Sequence, residues 1–230
     1  MRCLGVTLHS KYRSHWTPAL WRWGTGFLRE STDVRYRFNS NQLLRLCEYS
    51  IQQLRAVGDS EAIEHHRLDI GALYLFRDPE LFRARVISIA KDPDATRLLE
   101  IKSREEILEM DPALATMSES LAGGIFSSRD ISGDCRMFTQ ALSNRLITSG
   151  RCEFCFGTTV HEFLVDDSGM VTVQTNQGVL AADHVVVTAG FASTTLMEPL
   201  GIYLPIYPVK GYSITFPILN GNQVPKYPGI

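Results

Sequence analysis

The 230-residue sequence predicts a mixed fold of the α+β and α/β kind: a helix-rich first part, then a β-meander running into a parallel-type strand. Three observations predict it. Apolar residues recur three or four apart through the first sixty positions, the period of amphipathic helices. Asn- and Gly-rich turns at 166–169 and 176–178 separate short β-rich runs, the mark of a meander. The run Ala182-Asp183-His184-Val185-Val186-Val187-Thr188-Ala189-Gly190 sets β-branched residues side by side without alternation, as in a strand covered on both faces. Gly190 then lets the chain turn sharply at the strand's carboxyl end, the edge at which parallel sheets bind cofactors. A plain core strand ending in an ordinary turn fits the same nine residues.

Composition narrows the class. Hydrophobic content of 44% and charged content of 21% are ordinary for a globular chain, and a net charge of -2 gives no bulk attraction to nucleic acid or acidic membranes. No apolar run reaches the ~20 residues of a transmembrane helix, and residues 1–8 are too short in their apolar part for a secretory signal. Five cysteines are odd in number and sparse for this length, which favours a reducing compartment over a disulfide scaffold. Cys152-Glu153-Phe154-Cys155 has metal-pair spacing, but an offset of three on a strand sends the two sulfurs to opposite faces, and no second pair completes a zinc site.

In chain order, Trp16, Leu20, Trp23 and Phe27 form the apolar stripe of a first helix over Trp16–Leu28. Ser31-Thr32-Asp33 caps a second, longer one on which Leu43, Leu46, Cys47, Leu54 and Val57 form the inner face and which Gly58 ends; Arg35, Arg37, Arg45 and Arg55 belong to a solvated face. His65 and His66 read as surface residues. Ile70–Phe76 is a strand, and Asp78-Pro79-Glu80 starts a helix running through Ile89. Arg97–Ile101 is a short strand, Ser103 and Glu106 make a capping box, and Asp111–Leu114 closes that helix. Gly123-Gly124-Ile125-Phe126 turns into a strand. Gly133-Asp134 precedes a helix to about Ser149 with Phe138, Leu142, Leu146 and Ile147 inside. Strands over Cys152–Phe156, Thr158–Val165, Met170–Thr175 and Val179–Ala181 follow, then Val185–Thr188, and a last strand over Tyr203–Phe216 whose prolines suit an edge.

At this point the residues resemble a known family. Ala189-Gly190-Phe191-Ala192-Ser193, Pro199-Leu200-Gly201-Ile202 and Leu204-Pro205-Ile206-Tyr207-Pro208-Val209-Lys210-Gly211-Tyr212-Ser213 are similar to the D-amino-acid dehydrogenase small-subunit family of the FAD-dependent D-amino-acid oxidase-like superfamily. Gly133-Asp134 before Phe138–Leu142, Phe156-Gly157-Thr158-Thr159-Val160, Trp21-Arg22-Trp23 and Leu44–Ser50 fit it too, so the resemblance spans about 16–217. It implies an incomplete two-domain FAD-dependent oxidoreductase: a helical and β substrate lobe plus part of a FAD-binding sheet with its meander. Residues 1–118 would be the helix-rich part of the substrate domain, 119–200 a partial FAD-binding domain, and 201–230 a return strand into the substrate domain.

The family begins with a strand and a G-x-G-x-x-G turn that grips the FAD pyrophosphate. Here Gly24-Thr25-Gly26 lies in a Trp-rich helix instead. The chain is therefore expected to be an interior slice of a longer flavoenzyme, to need the missing N-terminal region to bind FAD, to be inactive alone and to aggregate. The resemblance assigns Val160, Thr188, Ala189 and Gly190 to the FAD nucleotide. It offers Gly124, Lys210 and Tyr212 as residues of a pocket for a carboxylate-bearing substrate. Lys210 and Tyr212, two apart on one strand face, read equally as a solvent-side charge and a core aromatic. No triad, metal cluster or paired-carboxylate motif is present, so catalytic residues stay unassigned.

The implied partners are a small D-amino acid such as D-alanine and an electron acceptor such as a quinone or respiratory-chain component. Nucleic acid and membrane spanning are excluded, and the implied location is cytoplasmic or peripheral on the inner membrane. A glycine- or sarcosine-oxidase-like member of the superfamily and a truncated non-catalytic binding module are the alternatives.

Overall fold

The computed structural model describes residues 2–4, 17–167, 169–212, 214, 217–218 and 224–229. Trp16 of the first apolar stripe, Ser168 of the first meander turn, and Ser213, Thr215 and Phe216 of the expected last strand lie outside them.

A short strand, β1 (Arg2–Leu4), opens the chain. Helix α1 (Pro18–Glu30) starts where Thr17 Oγ1 accepts the Leu20 amide at 3.3 Å, with Pro18 in its first turn. Helix α2 (Asp33–Ser60) continues past Gly58. That glycine does not end the helix; it is buried within it, where a Cβ would make only ordinary contacts, 3.7 Å from His65 and 4.0 Å from Phe138. After β2 (Ala72–Phe76), Asp78 Oδ1 accepts the amides of Glu80 and Leu81 and opens α3 (Pro79–Ala90). Asp92-Pro93 repeats that chemistry and adds α4 (Pro93–Leu98), which confines β3 to Leu99–Lys102. The capping box at α5 (Arg104–Met110) is reciprocal: Ser103 N donates to Glu106 Oε2 at 2.7 Å, and Glu106 N to Ser103 Oγ at 3.2 Å. Asp111 closes α5, its amide donating to Ile107 O at 2.9 Å, and with Pro112 it also starts a 3₁₀ helix over Pro112–Ser120. Then come β4 (Gly123–Ser127), α6 (Cys135–Thr148), β5 (Glu153–Cys155), β6 (Val160–Val165), β7 (Val171–Thr175), β8 (Gly178–Ala182) and α7 (Ser193–Met197).

By packing, the chain divides into two units, residues 1–52 with 143–212 and residues 53–142 with 213–230. In the first, β1 pairs in parallel with β5, and β6-β7-β8 form the antiparallel meander with a bulge between Val160 and Glu162. Val160, Phe163, Val173 and Leu196 are its buried cluster, with Val185, Val187 and Ala189 packed against it. In the second, the sheet order is β2-β4-β3, all antiparallel. Leu73, Ile107, Leu114 and Leu121 make the core on one face, while Phe82 of α3 lies under Gly123 and against Phe76 on the other.

Four expectations give way. Residues 184–189 carry no ladder, because a parallel-type strand needs neighbours and none of the described strands pairs with them; Val185 and Val187 pack inward and Val186 is 85% exposed. The described residues of 203–212 form no strand either. His65 is buried, with its Nδ1 2.9 Å from Ile63 O and its ring edge-on to Phe138 at 5.1 Å; only His66 is at the surface. Finally, the apolar stripes of the long helices are not core throughout. Phe27, Leu43 and Leu46 are exposed, as is Ile147 on α6, and Trp21, Leu28, Val34 and Phe38 join them.

Candidate functional site

The residues assigned to the nucleotide gather in the first unit. Gly157, at φ +72, leads into Thr158, Thr159 and β6. The turn between β7 and β8 clamps this loop. Asn176 Oδ1 accepts the Thr159 amide at 2.8 Å, the Asn176 amide donates to Thr159 O at 3.1 Å, and Asn176 Nδ2 and Gln177 Nε2 both donate to Gly157 O at 3.4 Å. The loop is thus held by side chains of a turn that the sequence marks only as tight; Asn at such a place bonds backbone groups readily. Inside the clamp, Thr158 is 3% exposed and its hydroxyl has no hydrogen-bond partner. Buried hydroxyls are almost always satisfied, so this one stands out.

Val160 is buried and its side chain belongs to the apolar cluster, leaving only main chain to meet a ligand. Ala189 packs against the same cluster, so the structure does bring the 185–189 segment beside Val160, through side-chain packing without a shared sheet. Thr188 is exposed. Gly190 is exposed at φ +58, and a Cβ there would meet nothing within 4 Å. Its backbone is therefore open to close approach, and any other residue would be strained in that conformation.

The three residues offered for substrate belong to different units. Lys210 and Tyr212 lie in the first unit, both exposed, with Lys210 Nζ 5.3 Å from the Tyr212 ring centroid. Tyr212 is 86% exposed, so the core-aromatic alternative fails. Gly124 lies in the second unit, on β4. A Cβ on it would sit 2.9 Å from Ile107 Cδ1 and 2.9 Å from Tyr74 O, so its missing side chain lets α5 close on the sheet. That is a packing reason sufficient in itself.

Two polar sites in the second unit escaped the sequence reading. Tyr74 donates its hydroxyl to Asp130 Oδ2 at 2.9 Å; burial first, then this bond, pushes the phenol above its usual range. Asp111, 2% exposed, accepts the amides of Lys226 at 2.6 Å and Tyr227 at 3.2 Å on Oδ2, and that of Ala113 at 3.3 Å on Oδ1. Its position before a proline was a readable signal of capping; its long-range bonds were not.

Cys47, Cys135, Cys152 and Cys155 are free thiols, and among the described residues no cluster of His, Cys, Asp or Glu could hold a metal ion. No helix among them is long and apolar enough to cross a membrane.

The chain is 37% identical over 209 residues to a D-amino acid dehydrogenase of Bradyrhizobium diazoefficiens, covering 91% of this chain and 49% of that protein. It is 34% identical over 212 residues to one from Agrobacterium fabrum, covering 90% and 50%. It thus spans about half the length of these curated relatives. Among solved structures, glycine oxidase from Geobacillus kaustophilus superposes with a TM-score of 0.62 at 22% identity, covering 70% of this chain and 44% of that one. L-proline dehydrogenase from P. horikoshii gives 0.57 at 19%, covering 69% and 41%. Residues 9–229 match the family described as DAO, FAD dependent oxidoreductase, and the chain belongs to that family.

Proposed function

We propose that this chain carries the substrate lobe and the nucleotide-side segment of an FAD-dependent dehydrogenase that oxidatively deaminates D-amino acids such as D-alanine. The observation that carries the reading is identity of 34–37% over nine-tenths of the chain to relatives named for that activity.

Two features of the chain fit a bound dinucleotide. Thr158 holds an unsatisfied buried hydroxyl, and Gly190 offers backbone on which a Cβ would meet nothing. Val160, Thr188, Ala189 and Gly190 would hold FAD, by main-chain contact at Val160 and by small or open residues at 188–190. When bound, the flavin supplies a hydride acceptor for the substrate α-carbon, leaving an imino acid that water hydrolyses to a 2-oxo acid and ammonia. Gly24 and Gly26 lie within α1, where backbone amides are committed to the helix and cannot cradle a pyrophosphate. Retention of FAD is accordingly assigned to the half of the relatives' length that this chain does not span. Lys210, an exposed ammonium beside an exposed Tyr212 ring, suits attraction of a substrate carboxylate. Gly124 enters the substrate lobe through packing. The acceptor is a quinone or a respiratory-chain component, and the location is cytoplasmic or peripheral on the inner membrane.

The test grafts this chain into the Bradyrhizobium relative in place of the matched 209 residues and assays the chimera with D-alanine, glycine and sarcosine, using oxygen or a quinone dye. D-alanine oxidation coupled to the dye is expected. A flavin-loaded chimera that oxidises only glycine or sarcosine would transfer the assignment to the oxidase branch. A folded chimera without flavin absorbance would remove the roles given to 188–190.

A further inference from the structure

The clamp on the loop before β6 uses a side chain where a ladder uses main chain. Val160 faces Thr175 across β6 and β7, and the chain then turns between Thr175 and Gly178. One step further out, a regular antiparallel pair would have Thr159 and Asn176 exchange two backbone N–H···O bonds. One of these is made that way, Asn176 N donating to Thr159 O at 3.1 Å. The return bond from Thr159 N ends on the side-chain Oδ1 of Asn176 at 2.8 Å. The same carboxamide sends its Nδ2 to Gly157 O at 3.4 Å, so one side chain serves a donor and an acceptor two residues apart. Gln177 Nε2 adds a second donor to Gly157 O at 3.4 Å. Thr175 Oγ1 braces the turn itself, accepting Gln177 N at 3.1 Å and donating to Gly178 O at 2.7 Å. Gly157 needs such a hold: it is exposed at φ +72, and a Cβ there would meet nothing within 4 Å, so packing does not set its conformation.

We infer that Asn176 is a positioning residue for the FAD nucleotide: by holding 157–159 it fixes the main chain at Val160. The inference rests on the nucleotide role proposed for Val160 and goes beyond it, to a residue that does not touch the cofactor. The Val160 side chain is committed to the apolar cluster, so the residue can meet a ligand only through its backbone. Downstream, the ladder is interrupted by the bulge between Val160 and Glu162. The upstream side therefore has to set where that backbone lies, and there the ordering groups are the Asn176 carboxamide and its neighbour Gln177. A carboxamide is the chemistry this position asks for. Ala at 176 would leave the Thr159 N–H and the Gly157 carbonyl without that side chain. Asp would keep an acceptor for Thr159 but bring a second oxygen, with no proton to give, towards the Gly157 carbonyl.

The test measures FAD affinity of the chimera with the Bradyrhizobium relative by quenching of flavin fluorescence, beside amide hydrogen exchange in the 230-residue chain. Asn176→Ala should weaken FAD binding about tenfold, and Asn176→Asp about threefold because it restores one of the two side-chain bonds. Asp166→Ala is the comparator. Asp166 Oδ1 accepts Met170 N at 3.0 Å in the turn at the far end of β6 and β7, so its loss weakens the same hairpin away from the loop. That variant should melt earlier, as Asn176→Ala does, and bind FAD like the parent. In the 230-residue chain the Thr159 amide should exchange slowly in the parent and in Asn176→Asp and fast in Asn176→Ala, while the amides of β7 stay slow in all three. Equal FAD affinity of the parent and Asn176→Ala, or an equal loss with Asp166→Ala, would overturn the inference. So would a Thr159 amide that exchanges freely in the parent chain, a readout that needs neither chimera nor flavin. A folded parent chimera that takes up no flavin would withdraw the role of Val160 and the positioning role with it, which separates the failure of that reading from a failure at Asn176.

Discussion

Replacing Asp111 by Asn tests how the second unit is tied together. The carboxylate is 2% exposed and accepts three amides, two of them from residues more than a hundred positions away. An Asn side chain of the same shape keeps one oxygen. If that oxygen stays on Ala113, the NH₂ group faces the Lys226 and Tyr227 donors and both bonds are lost; if the amide flips, the 3₁₀ cap is lost instead. A hydrogen bond to a charged acceptor contributes about 1.5–3 kcal/mol, and a cap about 0.5–2 kcal/mol. The flipped arrangement is the cheaper, yet besides the cap it leaves Lys226 and Tyr227 on a neutral oxygen, so the variant loses about 2–4 kcal/mol and a domain of this size melts roughly 10–20 °C lower. Hydrogen exchange supplies the local readout. The amides of Leu73, Lys226 and Tyr227 should lose protection together, because Leu73 donates to Pro228 in the segment that Asp111 pins. Should the variant melt with the parent and keep a slow Tyr227 amide, the claim that this carboxylate fastens 224–229 to the sheet is wrong.

Gly124→Ala should destabilise the second unit by about 1–3 kcal/mol, as overpacking against Ile107 and an immovable carbonyl does, measured by urea unfolding; an unchanged midpoint would refute the close approach. Thr158→Val removes a buried hydroxyl that has no partner, so thermal unfolding should show the variant at least as stable and up to about 1–2 kcal/mol more so. A clear loss would mean that the hydroxyl is engaged in the folded chain. Tyr74→Phe should cost about 1 kcal/mol near neutrality. Its pH dependence has a fixed sign. Burial and the Asp130 bond raise the folded phenol above its unfolded value near 10, so its stabilisation is complete below pH 10 and is lost as pH climbs through the raised folded value. The Phe variant should therefore lose less stability than the parent over that alkaline window, and parallel alkaline melts would contradict the assignment.

The parts of the fold that could be read in advance are those whose chemistry is local. Asp78-Pro79 and the Ser103–Glu106 pair specify helix starts within four residues, and Asn176-Gln177-Gly178 specifies a turn wherever the flanking strands go. Asp92-Pro93 carried the same information as Asp78-Pro79 and was hidden by the apolar run that follows it. What could not be read depends on partners distant in sequence. Val185–Thr188 has every local property of a buried strand, yet a ladder needs a neighbour on each side, and here only Val185 and Val187 find apolar cover. His65 is buried by Gly133 and Phe138, which lie about seventy residues on. At the candidate site, Gly190 announced its own freedom. The unsatisfied Thr158 hydroxyl, by contrast, is a property of enclosure, which no spacing of residues encodes.

The exposed rings and branched side chains of α1 and α2, among them Trp21, Phe27, Leu28, Val34, Phe38 and Leu43, affect how this chain can be handled. Dyes that light up on greasy surfaces will already glow with the folded chain at room temperature, so a dye-based melting curve will begin from a bright baseline and understate the transition. Concentrated sulfate, which strengthens burial of such surface, will drive the chain out of solution early, whereas phenyl resin in the same salt will capture it while it is still folded.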